Sequence, residues 1–232
     1  MLKKIMVPLD GSAFAEAALR TGIGLARRDQ AELSLLTVVP PPVPPVYLEG
    51  AVGVATELHE RAASVAAEYV RSVTERVRGE APGLEIHGLT VLGGVVDSID
   101  HAAREGATDL IVMSSHGRGP FQRMWLGSVA DGVLRHGPAP VLLVRPAGDS
   151  AADSGGPVEF PTVLIPIDAS PAARGIIPDA VDVAGAAARY RVVRVSVPRS
   201  GPRPGHLPDS RDEVPDPEAD RIRAEELLDQ AV

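Results

Sequence analysis

A glycine-bearing polar loop in the middle of the chain has the residue types that hold phosphate groups. The stretch 109–144 reads DLIVMSSHGRGPFQRMWLGSVADGVLRHGPAPVLLV: an apolar run, a polar loop, a helix start and a second apolar run. Gly117 and Gly127 lack a Cβ, so the backbone there can approach a phosphate closely or adopt a positive φ. Ser128 would add a hydroxyl at a helix start, where N–H groups and the helix dipole attract anions, and Arg118 would add a charge. The pattern indicates a nucleotide site, with a tight turn in which Gly and Ser serve only as turn and cap residues as an equal alternative.

The residues that end the first apolar run are the second candidate. They read VPLDGS over residues 7–12. The carboxylate of Asp10 could accept hydrogen bonds from a ribose or from a base amino group. Asp10 is equally suited to forming the turn or to capping the helix that follows. From the sequence alone both roles remain open.

Several familiar chemical motifs are missing from the sequence. A G-x4-G-K-S/T phosphate loop is excluded because both lysines lie among the first four residues. Gly22 and Gly24 lie in a predicted helix without a third glycine, which excludes a dinucleotide fingerprint. His59 has no second histidine at zinc-binding spacing, and the chain has no cysteine, so no metal site is expected. His116 could act as an acid or base or bind phosphate, but capping of local backbone is the more ordinary role of a loop histidine.

The apolar periodicity alternates between strands and helices, and this alternation predicts the fold. We expect strands at residues 5–9, 33–39, 85–92, 110–113 and 141–144, and helices at residues 13–28, 55–78, 98–105 and from Ser128, with Ser12 as the first N-cap. Such alternation predicts an α/β fold with a doubly wound, parallel, five-stranded sheet. These sheets bind ligands beyond the carboxyl ends of their strands, which is where Asp10 and the glycine loop would lie.

The composition of the 232 residues narrows the class of protein further. Aromatic residues make up only 3% of the chain, so Val, Leu, Ile and Ala must form the core. The net charge of −8 argues against a nucleic-acid or membrane-surface partner. The sequence contains neither an apolar run of membrane-spanning length nor the apolar core of a signal peptide. We therefore expect a cytoplasmic protein.

A second copy of the opening pattern begins after a stretch of small polar residues. Residues from 160 onward align without gaps with the start of the chain, and Asp10 and Ser12 recur as Asp168 and Ser170. The predicted organisation is a full domain over residues 1–146, a linker over 147–160 and an incomplete second repeat over 161–232. The second copy lacks a counterpart of the glycine loop, so one site per chain is expected. A proline-rich stretch at 200–217 and a final helix near 218–230 complete the prediction.

Taken together and in order, these motifs resemble the universal stress protein family. The matching segments are VPLDGS at residues 7–12, DLIVM at 109–113, the loop from Gly117 through nine residues to the Gly-Ser pair, and PVLLV at 140–144. The family loop reads G-x2-G-x9-G-S/T, and its first glycine is Ser114 here. A serine adds a Cβ where the backbone should approach the ligand, and Pro120 stiffens the loop. The resemblance therefore implies a site that binds more weakly or prefers a smaller nucleotide.

The resemblance also implies that the sheet is of the Rossmann-like or flavodoxin-like type, and it implies a function and a set of site residues. One branch of the family binds ATP and another lacks nucleotide, so the implied function is a stress-response regulatory protein that binds ATP, ADP or AMP, with or without a bridging Mg²⁺ or Mn²⁺. By this likeness Asp10 and the backbone of Leu9 and Val38 hold the adenosine. The complete implied set is Pro8, Leu9, Asp10, Val38, Met113, Ser114, Gly117, Arg118, Gly127, Ser128 and Val129.

Two further functions remain open, and the resemblance implies a partner. The sequence shows no convincing general base and no second carboxylate for a metal pair, so rapid hydrolysis is not expected. A slow ATPase or adenylate-handling enzyme using His116 or Asp10 is one alternative, and a nucleotide-free interaction protein is the other. Relatives pair their last strands across a two-fold axis, which implies a homodimer through Val141–Val144, an apolar edge that would otherwise be exposed.

Overall fold

A computed structural model describes residues 1–42, 51–115, 126–145, 158–168, 170, 173 and 175–194, with the backbone alone for residues 51–55. The chain divides into two compact units, Met1–Val158 and Glu159–Val232. Residues 146–157 lie outside the described part, so the predicted linker and the domain boundaries beside it remain predictions.

The first unit is a doubly wound parallel sheet with helices, as the alternation of the sequence predicts. Its strands are β1 (Lys4–Pro8), β2 (Glu32–Val39), β3 (Ile86–Leu92), β4 (Leu110–Ser114) and β5 (Val141–Val144). Its helices are α1 (Ala13–Asp29), α2 (Ala51–Glu80), α3 (Val95–Glu105) and α4 (Ser128–His136). The strand order is β3-β2-β1-β4-β5, and every adjacent pair is parallel. The connections therefore change direction between β1 and β4, which is where such sheets form a ligand crevice.

The central strands are buried on both faces, which explains why they read as continuous apolar runs rather than as alternating patterns. On one face Met6, Leu36 and Ile111 pack with Ile99 of α3 and Val133 of α4. On the other face the helices α1 and α2 lie side by side, and an ion pair joins them. Within the described residues, no helix combines the length and the apolar character needed to cross a membrane.

Helix α1 begins and packs as its sequence predicts. The hydroxyl of Ser12 accepts a hydrogen bond from the N–H of Ala15 at 3.2 Å and caps the first turn. Farther along, Gly22 faces β1 so closely that a Cβ built on it would lie 2.6 Å from Cγ2 of Val7. The absence of a side chain at Gly22 therefore sets the spacing between α1 and the sheet.

The second unit contains a two-stranded parallel sheet, β6 (Thr162–Ile167) and β7 (Arg189–Arg194), joined by α5 (Ile176–Ala184). The strand register differs by one residue from that of the first unit. Thr162 pairs with Arg189, whereas the residue that aligns with Glu32, the partner of Lys4, is Tyr190. The stretch between the paired residues is therefore one residue shorter than in the first unit. The remaining predictions for this region, at residues 195–232, fall outside the described residues.

Candidate functional site

Three predicted site segments meet at the carboxyl edge of the first sheet. Pro8 ends β1, Val39 ends β2 and Ser114 ends β4, and all three strands are parallel, so their ends lie along one edge. Asp10 follows the first of these strands and Ser128 opens the helix that follows the third. Because β1 and β4 are neighbours at the point where the connections reverse, both residues border the same crevice.

Backbone hydrogen bonds fix the start of α4 to the end of β4. The N–H of Ser115 donates to the carbonyl of Val144 at 3.1 Å, and the N–H of Gly127 donates to the carbonyl of Ser115 at 2.9 Å. Ser115 is buried. It was not among the site residues predicted from the sequence. The one sequence feature that indicated its role is its position directly after a buried strand. Ser115 closes the loop at its base, so α4 begins at the edge of the sheet.

The first turn of α4 opens without a side-chain cap from its own N-cap residue. That residue is Gly127, which has no side chain to offer. The N–H groups of Ser128, Val129 and Ala130 have no acceptor within the helix, because intrahelical bonding begins with the N–H of Asp131, which donates to the carbonyl of Gly127 at 2.9 Å. In α1 the hydroxyl of Ser12 occupies the corresponding place. The start of α4 therefore has the chemistry of an anion site.

Gly127 has an ordinary backbone conformation. Its φ is −70° and its ψ is 150°, which any residue can adopt. The alternative that the sequence allowed for this glycine, a positive φ, is therefore wrong. The other role that the sequence allowed, a close approach of a phosphate to a backbone without a Cβ, stays a prediction.

An acidic side chain in the first turn of α4 is paired with a base one turn farther along. Asp131 accepts a hydrogen bond from Nε of Arg135 at 2.9 Å. This hydrogen bond, with the positive charge of Arg135, holds the pKa of Asp131 below its ordinary value, against an opposing effect of burial. The pairing offsets part of the repulsion that this carboxylate would exert on an anion at the helix start.

Asp10 forms the turn that the sequence allowed, and it remains exposed. Its Oδ1 accepts a hydrogen bond from the N–H of Ser12 at 2.9 Å. Gly11, between them, has a φ of 74°, which favours glycine. In the second unit Oδ1 of Asp168 accepts from the N–H of Ser170 at 2.7 Å. The recurrence of this aspartate is therefore accounted for by a shared turn, and any contact with a ligand would be additional to it.

The remaining predicted residues differ in what they can offer. The N–H of Leu9 already donates to the carbonyl of Leu36 at 2.7 Å, so its backbone can offer only its carbonyl to a ligand. Met113 is buried in the core. Val38 and Val129 are partly buried and pack against the same apolar cluster, so the end of β2 and the start of α4 both border it.

Two predicted residues and one loop histidine cannot be placed. Gly117, Arg118 and His116 lie outside the described residues. Pro8 and Ser114 are half-buried at the ends of their strands, where Ser114 pairs with Val144. The described part of the site therefore consists of the Asp10 turn, the end of β4 and the start of α4.

Comparisons with known proteins agree with this architecture. A family model described as the universal stress protein family matches residues 1–145. A universal stress protein of Methanocaldococcus jannaschii is 31% identical over 146 residues, which cover 62% of this chain and 83% of that protein. The solved structure of a universal stress protein from Lactobacillus plantarum has a TM-score of 0.55 and 27% identity, and the match covers 62% of this chain and 98% of that one.

A further solved structure matches both units in fold. It is a universal stress protein from Archaeoglobus fulgidus with a TM-score of 0.61, and the match covers 99% of this chain and 73% of that one. At 19% identity this likeness concerns the fold alone. The family model spans more than half of the chain, and its match includes every described element of the site. The chain belongs to the universal stress protein family.

Proposed function

We propose that this chain is a regulatory protein of the stress response that binds one adenine nucleotide at the carboxyl edge of its first unit. The observation that carries the proposal is the start of α4, whose N-cap residue Gly127 supplies no side-chain cap and whose backbone is held at the end of β4 by Ser115. A nucleotide combines an anionic group with a base and a sugar. The site therefore needs hydrogen-bond donors for the anionic group. It also needs hydrogen-bond acceptors and an apolar surface for the base and the sugar.

The phosphates would lie at the start of α4. The N–H groups of Ser128 and Val129 point out of the first turn and have no intrahelical acceptor. The positive end of the helix dipole adds to their attraction for an anion, and the exposed hydroxyl of Ser128 is a further donor. Gly117 and Arg118 complete the phosphate contacts in this proposal. A divalent Mg²⁺ or Mn²⁺ would be held mainly by the phosphates, as Mg²⁺ commonly is in nucleotide sites.

The adenosine would lie across the ends of β1 and β2. The carboxylate of Asp10 is exposed and would accept hydrogen bonds from the ribose hydroxyls or from the base amino group. The carbonyl of Leu9 offers a second acceptor, and Val38 offers a partly exposed apolar surface for the base. Pro8, Met113 and Ser114 shape the floor of the site. ATP, ADP and AMP share all of these contacts and differ only at the phosphates.

Binding without rapid turnover fits the described residues better than catalysis. Two-metal hydrolysis requires carboxylates that converge on the phosphates. Among the described residues, the carboxylate and imidazole groups close enough to hold a metal ion together lie at the opposite edge of the sheet. The enzymatic alternative depends on His116 acting beside Asp10, and phosphate release that drops in His116→Ala would favour it.

The test compares two aspartates that make the same turn in the two units. Asp10→Ala and Asp168→Ala each remove one hydrogen bond to a serine N–H. Only Asp10 borders the proposed site. Isothermal titration of the full chain with ATP, ADP and AMP should give about one nucleotide per chain. Loss of a hydrogen bond to a charged group costs about 1.5–3 kcal/mol, so Asp10→Ala should weaken binding by about 10- to 150-fold while Asp168→Ala leaves it unchanged.

The result that would overturn the proposal is the absence of binding at millimolar nucleotide. In that case the nucleotide-free interaction protein becomes the better reading, because the loop would then serve only as a turn. Equal weakening by the two aspartate substitutions would instead show that the turn matters for stability and that Asp10 makes no contact with the ligand.

We also propose the domain organisation and the partner that the sequence predicts. β5 is an edge of the sheet, and its four residues are all partly exposed, so its outer side suits pairing with a second copy through Val141–Val144. Light scattering at micromolar concentration should give twice the mass of one chain, and a monomer would contradict the dimer. The domains would be residues 1–146 and 161–232, with the linker at 147–160.

A further inference from the structure

Three side chains that bind metal ions meet at the amino edge of the first sheet, far along the strands from the nucleotide site. Glu32 is the first residue of β2, Glu85 comes directly before β3, and His87 is the second residue of β3. Among the described residues, these three form the group of His, Asp and Glu side chains close enough to share one ion.

The backbone of two adjacent strands sets this arrangement. The N–H of Leu33 donates to the carbonyl of Glu85 at 2.9 Å, and Leu33 pairs with Ile86 in the parallel register. Glu85 and His87 are two residues apart, so they lie on the same face of the sheet. Glu32 precedes Leu33 as Glu85 precedes Ile86, so it lies beside Glu85 on that face. The convergence follows from strand register and not from chance contact between long side chains.

The distances suit a small transition-metal ion. Nε2 of His87 lies 3.2 Å from Oε1 of Glu85 and 3.7 Å from Oε1 of Glu32. All three ligand atoms lie within 4.8 Å of one another. Zinc binds nitrogen and oxygen at about 2.0–2.2 Å in a tetrahedron, which places neighbouring ligands roughly 3.4 Å apart. Small side-chain rotations therefore bring one nitrogen and two oxygens to zinc-binding positions.

The surrounding charges orient the cluster without blocking it. Nζ of Lys4 lies 3.8 Å from Oε2 of Glu32, and it is the other oxygen of this carboxylate, Oε1, that faces His87. The lysine thus holds Glu32 in place while its ligand atom remains directed at the cluster. The two carboxylates attract a dication, and the lysine charge offsets part of that attraction. The side chain of His87 is 49% exposed, so an ion and a water ligand have direct access from solvent.

We propose that Glu32, Glu85 and His87 bind one Zn²⁺ ion, with a water molecule as the fourth ligand. Three protein ligands and one open position are the pattern of exchangeable zinc sites rather than of closed structural ones. The ion joins the start of β2 to the edge strand β3. An ion that binds the folded chain and not the unfolded one stabilises the first unit by RT ln(1 + [Zn²⁺]/Kd), so the stabilisation rises with the logarithm of the zinc concentration above Kd.

The test is titration of Zn²⁺ into the full chain, followed by calorimetry and by the NMR signals of the histidine side chains. Wild-type protein should bind one equivalent, and the ring signals of His87 should shift. Removal of an outer-shell partner costs roughly 10- to 100-fold in metal affinity, so loss of a direct ligand in His87→Gln or Glu85→Gln should weaken binding at least as much. His101→Gln, which removes an exposed histidine of α3, is the matched control and should bind like wild type.

Two outcomes would overturn the proposal. Zinc affinity that survives in both His87→Gln and Glu85→Gln would place the ion elsewhere, and wild-type protein that binds no zinc at millimolar concentration would leave the cluster as a set of surface ion pairs. Urea unfolding in the presence of a chelator checks that both variants fold as wild type does. The result is independent of the nucleotide proposal, because the two sites lie at opposite ends of the strands.

Discussion

Replacement of Gly22 by alanine tests how closely α1 packs on the sheet that carries the site. A Cβ on Gly22 would lie 2.6 Å from Cγ2 of Val7, well inside van der Waals contact. Val7 is completely buried and β-branched, so its side chain has little freedom to move away. Val7 also directly precedes the strand end that leads into the Asp10 turn. The substitution must therefore shift α1 or strain β1.

Two opposing effects determine the size of the change. Extra methylenes in a packed core cost about 1–3 kcal/mol. Alanine in place of glycine inside a helix raises the free energy of unfolding by up to about 1 kcal/mol, because alanine has the higher helix propensity. The net result is a loss of up to about 2 kcal/mol in the free energy of unfolding. Gly79 provides the matched control, because it lies in α2 with no atom within 4 Å of its built Cβ. Gly79→Ala gains helix propensity without a steric clash. The free energies of unfolding of Gly22→Ala and Gly79→Ala should therefore differ by about 1–3 kcal/mol.

Urea unfolding of the wild-type chain, Gly22→Ala and Gly79→Ala measures these differences. A thermal scan should show the same order, with a separation of about 2–4 °C per kcal/mol for a unit of this size. In a Val7→Ala background the clash is absent, and Gly22→Ala should then increase stability. The reasoning fails if Gly22→Ala stabilises the wild-type chain as much as Gly79→Ala does.

Two further predictions concern the start of the chain and the affinity of the site. Burial raises the pKa of Asp29, but hydrogen bonds from Arg28 and the N–H of Leu2, with nearby positive charges, lower it overall. Its contribution to stability is therefore present above the unfolded pKa of about 3.9 and is lost as the pH falls through the lower folded pKa. Asp29→Asn should be about 1 kcal/mol less stable than wild type at neutral pH, and this difference in the free energy of unfolding should shrink in acid. A difference that stays constant with pH in urea unfolding would refute this. Ser114→Gly removes the Cβ beside the proposed phosphates, so calorimetry should show nucleotide binding that is several-fold tighter. The substitution should also lower the stability of the strand by about 0.5–1 kcal/mol. Unchanged or weaker binding would count against the proposed position of the ligand.

Local sequence patterns predicted most of the secondary structure. The strand Val141–Val144 and the start of α4 at Ser128 lie where the apolar pattern places them. Helices α2 and α3 are exceptions, because α2 begins at Ala51 rather than at residue 55 and α3 at Val95 rather than at residue 98. The N-cap of α3, Gly94, makes no side-chain hydrogen bond, so the sequence carried no capping signal there. Periodicity identifies a helix well, but its ends depend on single hydrogen bonds.

The candidate site was predicted in part. The sequence identified Asp10, Gly127 and Ser128 as residues at the ends of strands or the start of a helix, because those positions follow from element order in a parallel sheet. It could not distinguish a turn from a ligand contact at Asp10, since both use the same carboxylate. It also missed Ser115, whose role depends on backbone bonds to Gly127 and Val144.

The sequence by itself determined the alternation of strands and helices, the apolar composition of the core, and the family. Those properties depend on residue type and on spacing within one element. The tertiary structure decided which residues become neighbours. The convergence of Glu32, Glu85 and His87 requires the register of β2 on β3, and the start of α4 and the Asp10 turn border one crevice because β1 and β4 are adjacent. Register and adjacency arise from hydrogen bonds between distant parts of the chain, and no local pattern encodes them.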